Sequence, residues 1–194
     1  MAGRLEVITG CMFSGKSEEL IRRVDRANIA GQNTLLLKPH LDDRYSKNAV
    51  VTHYGREFEA KLLASDEENL PSLIKTAGGS KVARADVIAF DEGNFFSEKL
   101  VDLVEKLIKS EEKRVIVAGL DLTFAGEPFH PMPELMAKAD DSNKLHAVCV
   151  KCGSQATRTQ RLIDGEPAPA DDEVIKVGGE DDYEARCRDC WELA

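Results

Sequence analysis

Positive charge is scarce in this chain. Lys and Arg number 26 against 35 Asp and Glu, a formal net charge of −9, and no basic run relieves the deficit. Nucleic-acid binding is driven by cations meeting phosphates, so a surface that coats DNA or RNA is excluded. A small polyanion such as ATP is not, because a local cradle and a metal ion can hold it. Long apolar runs are missing too: nothing approaches the roughly 18 consecutive apolar residues of a membrane span. Met1-Ala2-Gly3-Arg4 leads straight into the short run Leu5 to Ile8, with no signal-peptide h-region and cleavage site. The expectation is a cytoplasmic protein with no membrane and no nucleic-acid partner. Internal repeats and long low-complexity tracts are absent. The histidines His40, His53 and His130 show no metal-ligand spacing and read as structural or loop residues.

The 194 residues, 42% hydrophobic and 31% charged, suffice for one ordinary globular domain, or for one domain with a small appendage. Up to about residue 143 the pattern alternates. Leu5 to Thr9 is a short strand, Thr34 to Leu37 an apolar one of the kind buried on both faces, and Val87 to Phe90 and Val115 to Ala118 are further short apolar strands. Between them lie amphipathic helices. One runs from about Ser17 to Ala30 with Leu20, Ile21, Val24 and Ala27 on one face and Gly31 as its stop. Another opens at the capping box Ser65-Asp66-Glu67-Glu68 and continues through Ile74. A third, capped by Ser97, carries Leu100, Val101, Val104, Leu107 and Ile108. This alternation predicts an α/β fold, a parallel sheet with helices on both faces. The character changes after Asp141. Residues 144–194 hold paired cysteines, short β-like segments and a breaker-rich stretch from Asp164 to Ala170 that reads as a loop. The division expected is therefore 1–143 for an ATP-binding α/β domain and 144–194 for a small metal-binding one.

Gly10-Cys11-Met12-Phe13-Ser14-Gly15-Lys16-Ser17 fits the phosphate-loop pattern at every fixed position, between a strand and a helix. Its glycines let the backbone N–H groups turn inward toward phosphate, and the helix N-terminus adds partial positive charge. Lys16 would reach the β- and γ-phosphates, and the Ser17 hydroxyl would hold Mg²⁺. Cys11 reads as a small filler. The strand Val87 to Phe90 ends in Asp91-Glu92. Ligands of parallel sheets bind at the carboxyl ends of strands, which brings these acids beside the phosphate loop. Asp91 suits the orientation of Mg²⁺ and its waters. Glu92 has two candidate tasks: positioning a water for ATP hydrolysis, or accepting the proton of an attacking hydroxyl.

Cys149-Val150-Lys151-Cys152 and Cys187-Arg188-Asp189-Cys190 are two C-x-x-C knuckles. Four thiolates close a tetrahedral Zn²⁺ site with no open position, a structural rather than a catalytic centre. The long spacer means that the zinc clips the ends of a long loop. A redox pair and an iron–sulfur centre are the alternatives, and His146 is a nearby competing ligand.

Together the phosphate loop, Asp91-Glu92-Gly93 followed by Phe95-Phe96, and the paired knuckles resemble the zinc-containing type II thymidine kinases. Asp42-Asp43-Arg44-Tyr45, Gly119-Leu120-Asp121 with Thr123-Phe124, and Gly178-Gly179 ahead of Tyr183 extend the resemblance from Leu5 to Cys190. It implies a RecA-like P-loop domain and a small zinc domain carrying a lasso loop over the nucleoside. It implies transfer of the γ-phosphate of ATP to the 5′-hydroxyl of thymidine, and of deoxyuridine, in pyrimidine deoxynucleotide salvage. By the resemblance, Glu92 is the general base and Gly10, Met12, Phe13, Ser14, Gly15, Lys16, Ser17 and Arg44 bind the phosphates. The thymidine pocket takes Met12, Phe95, Leu120, Phe124, Thr159, Val177, Gly178, Gly179 and Tyr183. A homotetramer inhibited by thymidine triphosphate is also implied. One position departs: where the family often has Gln two residues after the catalytic Glu, this chain has Asn94, which keeps the amide and shortens its reach by one methylene. The competing readings are a RecA-like ATPase stimulated by single-stranded DNA, which would need a basic aromatic face, and a zinc-dependent interaction module with an idle phosphate loop.

Overall fold

Short runs rich in apolar residues, four to six long and bounded by turns, become the four inner strands of one central sheet. The computed structural model describes residues 3–39, 49–51, 57–59, 61–63, 82–175 and 182–194. The first elements are β1 (Arg4–Thr9), α1 (Lys16–Ile29) and β2 (Thr34–Pro39). β3 (Ala49–Val51) and β4 (Glu57–Glu59) form a separate antiparallel pair, followed by β5 (Lys61–Leu63) and β6 (Val87–Phe90). Then come α2 (Lys99–Glu111), β7 (Arg114–Gly119), α3 (Met132–Lys138) and β8 (Asp141–Lys144). Six strands join in the order β5-β2-β6-β7-β1-β8, every neighbouring pair parallel.

Strand side chains alternate between faces, and the packing follows that period. Leu5, Val7, Leu35, Leu37, Ile88, Phe90, Val115 and Val117 meet α2 and α3 on one face. Ile8, Leu36, Val87, Ala89, Ile116 and Ala118 meet Leu20, Ile21, Val24 and Ala27 of α1 on the other. The expectation of helices on both faces is met. Glu6 falls on the α1 face, where an apolar residue would be the default. It is buried, and Arg23 of α1 and Arg114 of β7 answer it at 2.8 and 2.6 Å.

Two local expectations differ from the structure. Ser97 does not cap α2: the helix enters through Glu98, no side chain caps it, and the buried Ser97 hydroxyl has no hydrogen-bond partner among the described residues. The chain tightens there into i→i+3 turns, with Leu100 N–H on Ser97 O and Val101 N–H on Glu98 O, which turns the hydroxyl inward. The stretch from Asp164 to Ala170 is partly a hairpin. β11 (Arg158–Ile163) and β12 (Glu166–Pro167) pair around Asp164-Gly165, both at positive φ, the Asp-Gly turn whose twist matches flanking strands. The helix read from Ser65 to Ile74 and the segment Asp42 to Tyr45, with His40 and His53, lie outside the described residues.

Beyond β8 the elements are small. β9 (Ala147–Val148) pairs with β10 (Gln155–Ala156), and β13 (Tyr183–Arg186) pairs antiparallel with β11. Their shared core consists of Cys149, Cys187, Ala147, Ala156 and Ala185 together with Cys11 from the phosphate loop. No helix among the described residues is long and apolar enough to cross a membrane.

Candidate functional site

The loop from Gly10 to Ser17 connects β1 to α1 at the carboxyl end of the sheet. Gly10 has φ +146°, and a Cβ there would fall 2.6 Å from Leu145 O and 2.7 Å from Ser14 Oγ, so nothing larger fits. Gly15 has φ +82° and leads into α1. Two donors converge on one carbonyl inside the curl: Ser14 Oγ at 2.8 Å and Lys16 Nζ at 2.9 Å from Cys11 O. Lys16 is buried. Ser17 Oγ donates to Asp91 at 3.1 Å, which ties the start of α1 to the end of β6.

Asp91 is buried and accepts the Glu92 N–H at 3.1 Å. Glu92, half-buried, sits in the left-handed region at φ 49°, ψ 46°. A non-glycine residue held there costs about 1–3 kcal/mol and persists only where its surroundings enforce it. The enforcement is visible at Gly93, where a Cβ would lie 2.6 Å from Val117 Cγ1 and 2.9 Å from Met132 Sδ. The backbone is pressed onto β7 and α3, and Glu92 stays at the crevice. Asn94, also buried, accepts the Leu120 N–H on Oδ1 at 2.8 Å, locking the end of β6 to the end of β7. Phe95 meets Phe129 edge to face, 6.0 Å between centroids.

The small module closes onto this crevice. Met12 N–H donates to Thr159 Oγ1 at 3.1 Å and Cys11 Sγ to Ala156 O at 3.4 Å, so β10 and β11 hold the phosphate loop directly. Burial pushes the Cys11 thiol above its ordinary range, in keeping with a filler. The Arg161 guanidinium lies 5.0 Å from the Phe124 ring centroid and 5.9 Å from that of Tyr183. Trp191 Nε1 donates to Phe124 O at 3.0 Å. Asp121, buried, forms an ion pair with Lys144 that joins the loop after β7 to the end of β8.

The structure thus brings together the phosphate loop, Asp91, Glu92, Phe95, Leu120, Phe124, Thr159 and Tyr183 around the carboxyl end of the sheet. Arg44, Val177, Gly178 and Gly179 lie outside the described residues. Sequence reasoning missed Arg161, Trp191 and the Asp121–Lys144 pair. No local motif marks them, since each acts through a contact 22 or more residues away.

Cys149, Cys152, Cys187 and Cys190 converge with their sulfurs within 4.8 Å of one another, and all are free thiols. Cys152 Sγ and Cys187 Sγ are 3.6 Å apart. Tetrahedral Zn–S bonds of ~2.3 Å set sulfurs roughly 3.8 Å apart, so the arrangement fits one zinc ion. Burial opposes ionisation of Cys149, but backbone hydrogen bonds from Cys187, Cys152 and Lys151 outweigh it and hold this thiol at about 6. Hydrogen bonds with Cys187 and Cys152 push Cys190 up to about 12. The quartet alone favours ionisation at Cys149 and Cys152 and suppresses it at Cys190; a divalent cation would let all four ionise. His146 is exposed and not part of the cluster.

Comparison with known proteins bears on the same residues. The family model described as thymidine kinase matches residues 3–191. A thymidine kinase of Coprothermobacter proteolyticus is 52% identical over 185 residues, covering 95% of this chain and 88% of the relative. A thymidine kinase of Halobacterium salinarum is 47% identical over 189 residues, covering 97% and 94%.

Proposed function

The chain belongs to the thymidine kinase family, and from that premise we propose that it transfers the γ-phosphate of ATP to the 5′-hydroxyl of thymidine. Deoxyuridine is a parallel substrate, because one methyl group in a pocket is worth only about 1–3 kcal/mol. The observation that carries the reading is the junction of Ser17, Asp91 and Glu92. A phosphate loop and two strand-end carboxylates meet there, one hydrogen-bonded to the loop and the other held at the crevice by a constrained backbone.

In this reading the N–H groups of residues 10 to 17 and the Lys16 ammonium hold the triphosphate. Lys16 exchanges its bond to Cys11 O for the β- and γ-phosphates. Ser17 and Asp91 would hold the magnesium that accompanies ATP, which supplies neutralisation of phosphate charge. Glu92 takes the 5′-hydroxyl proton as the oxygen attacks the γ-phosphorus and ADP leaves, since a hydroxyl is a poor nucleophile until a base removes its proton. Lys16 and Arg44 stabilise charge on the transferring group. Met12, Phe95, Leu120, Phe124, Thr159 and Tyr183 surround the thymine, with Val177, Gly178 and Gly179 meeting its polar edge. The four cysteines would hold structural zinc, which would fasten the small module with no open position for a part in the transfer. A cytoplasmic location, where thiols stay reduced, suits a four-cysteine zinc site. The product enters pyrimidine deoxynucleotide salvage, and the type II resemblance supports a homotetramer with feedback inhibition by thymidine triphosphate.

The test is phosphate transfer from Mg·ATP to thymidine, deoxyuridine, deoxycytidine and deoxyadenosine side by side. Conversion of thymidine to its 5′-monophosphate with little activity on cytosine or purine nucleosides is the expected result. Zinc-replete protein that phosphorylates none of them would end the kinase reading.

A further inference from the structure

Arg161 is the largest of the fully buried side chains, 1% exposed, and it stands on β11 in register with Tyr183 of β13. A buried guanidinium is costly unless paired, and a Met or Leu of similar volume would be cheaper as simple filling. The Arg161 pairing is incomplete as a salt bridge. Its Nη2 lies 3.3 Å from Asp172 Oδ2, yet neither atom makes an aligned hydrogen bond among the described residues. Its Nη1 donates to the Glu173 carbonyl. What the cation does have is two aromatic rings, Phe124 from the sheet domain and Tyr183 from the small module. Cation–π attraction is strongest when water is excluded, as it is here.

Each ring has a second restraint or a fixed mount. Phe124 is held by Trp191 on its carbonyl, and Trp191 follows directly on the zinc knuckle, its N–H bonded to Cys187 O at 3.0 Å. Tyr183 begins β13, paired to β11. Thr159, two residues before Arg161 on the same strand, accepts the Met12 N–H. A single strand therefore sets the phosphate loop with one residue and the spacing of two rings with the next residue on that side.

We propose that Arg161 is a positioning residue of the pyrimidine subsite, fixing Phe124 and Tyr183 at the separation a pyrimidine ring needs while anchoring the chain at Asp172 and Glu173. The proposal rests on the thymidine kinase reading. It makes the aromatic part of the nucleoside site depend on Arg161 and leaves the ATP side to the phosphate loop.

The experiment compares Arg161→Met and Arg161→Lys with the wild type as full-length, zinc-loaded protein. Thymidine binding is read by titration calorimetry, and KM for thymidine and for ATP by steady-state transfer. For Arg161→Met the thymidine KM should rise at least about ten-fold while the ATP KM stays within about two-fold, the scale of a lost desolvated cation–π contact. Arg161→Lys keeps the charge but loses the fork, and should recover only part of the loss. A zinc-bound Arg161→Met with unchanged thymidine KM, or with both KM values raised together, overturns the proposal. Should Arg161→Met fail to fold, Asp172→Asn reads the same split, expected smaller and again confined to thymidine. An unchanged thymidine KM in that variant would count against the proposal. Failure of the underlying kinase reading is seen separately, as a wild-type protein that neither binds nor phosphorylates thymidine.

Discussion

The two parts of the chain are held together by different physics. The parallel sheet buries Leu, Ile, Val and Phe on both faces against helices, and burial of apolar area is the main source of its cohesion. The module after β8 has a core of three alanines and the thiols, with Arg158, Arg161 and Arg186 buried around it. With so little apolar mass among the described residues, four convergent thiols stand where large side chains stand elsewhere. The contrast explains where each half of the chemistry is carried. The rigid sheet holds Asp91 and Glu92 through backbone packing, whereas Thr159 and Tyr183 sit on strands of a module built around the four cysteines.

The sharpest way to break this contrast is to remove the clip. Cys149→Ser with Cys152→Ser should abolish zinc binding and transfer activity. Amide exchange in β9–β13 should become fast while β1, β6 and β7 remain protected. Equal loss of protection in both parts would mean that the sheet too depends on the metal. Next in size is Glu92→Gln, which should lower kcat about 10²–10⁴-fold with ATP and thymidine binding retained; near wild-type turnover would remove Glu92 from the base role. Leu100→Ala, at a fully buried position of α2, acts on the other half: about 3 kcal/mol lost in denaturant unfolding, with zinc content unchanged.

The smallest effect tests the charges of the sheet. Burial favours the protonated form of Glu6, but the guanidiniums of Arg114 and Arg23 outweigh it and hold the carboxyl below its ordinary range. Hydrogen bonds from Arg22, helped by Arg23, hold Glu19 at about 2. Carboxyls depressed in the folded state stabilise it above their unfolded pKa of roughly 4.3. That contribution fades as pH falls, down to about 2 for Glu19. Glu6→Gln should cost about 2 kcal/mol at neutral pH, modest because Arg4 and Arg114 remain partly solvated. It should also flatten the fall of Tm as the pH drops below the unfolded carboxyl value of roughly 4.3, where a depressed carboxyl gives up its contribution. An unchanged slope would show that other groups carry the acid sensitivity.

Much of this was readable in the chain because it is local. The phosphate loop, the Asp91-Glu92 strand end and both knuckles are short fixed spacings whose chemistry requires contiguous residues. The strands were legible because runs such as Val87 to Phe90 are apolar at every position, as a doubly covered sheet demands. What escaped was pairing across the fold. Nothing near Arg161 announces Phe124 or Tyr183, and nothing near Asn94 announces the Leu120 N–H. Nothing near Glu6 announces Arg23 or Arg114, which reach it from other elements. Ser97 misled for the opposite reason: its local pattern suits a cap, but tight turns turned its hydroxyl into the interior.

The chain has a single tryptophan, and it stands at the seam of these two parts. Trp191 donates from its indole to Phe124 O, and its six-membered edge would meet a Cβ at Gly126 at 3.1 Å. Red-edge excited emission is therefore a one-channel optical report on the seam, free of contributions from elsewhere. Withdrawal of the metal should shift that emission to longer wavelength as the indole meets water, while the far-ultraviolet dichroism of the sheet persists. The protein carries its own dye at the place where its two halves meet.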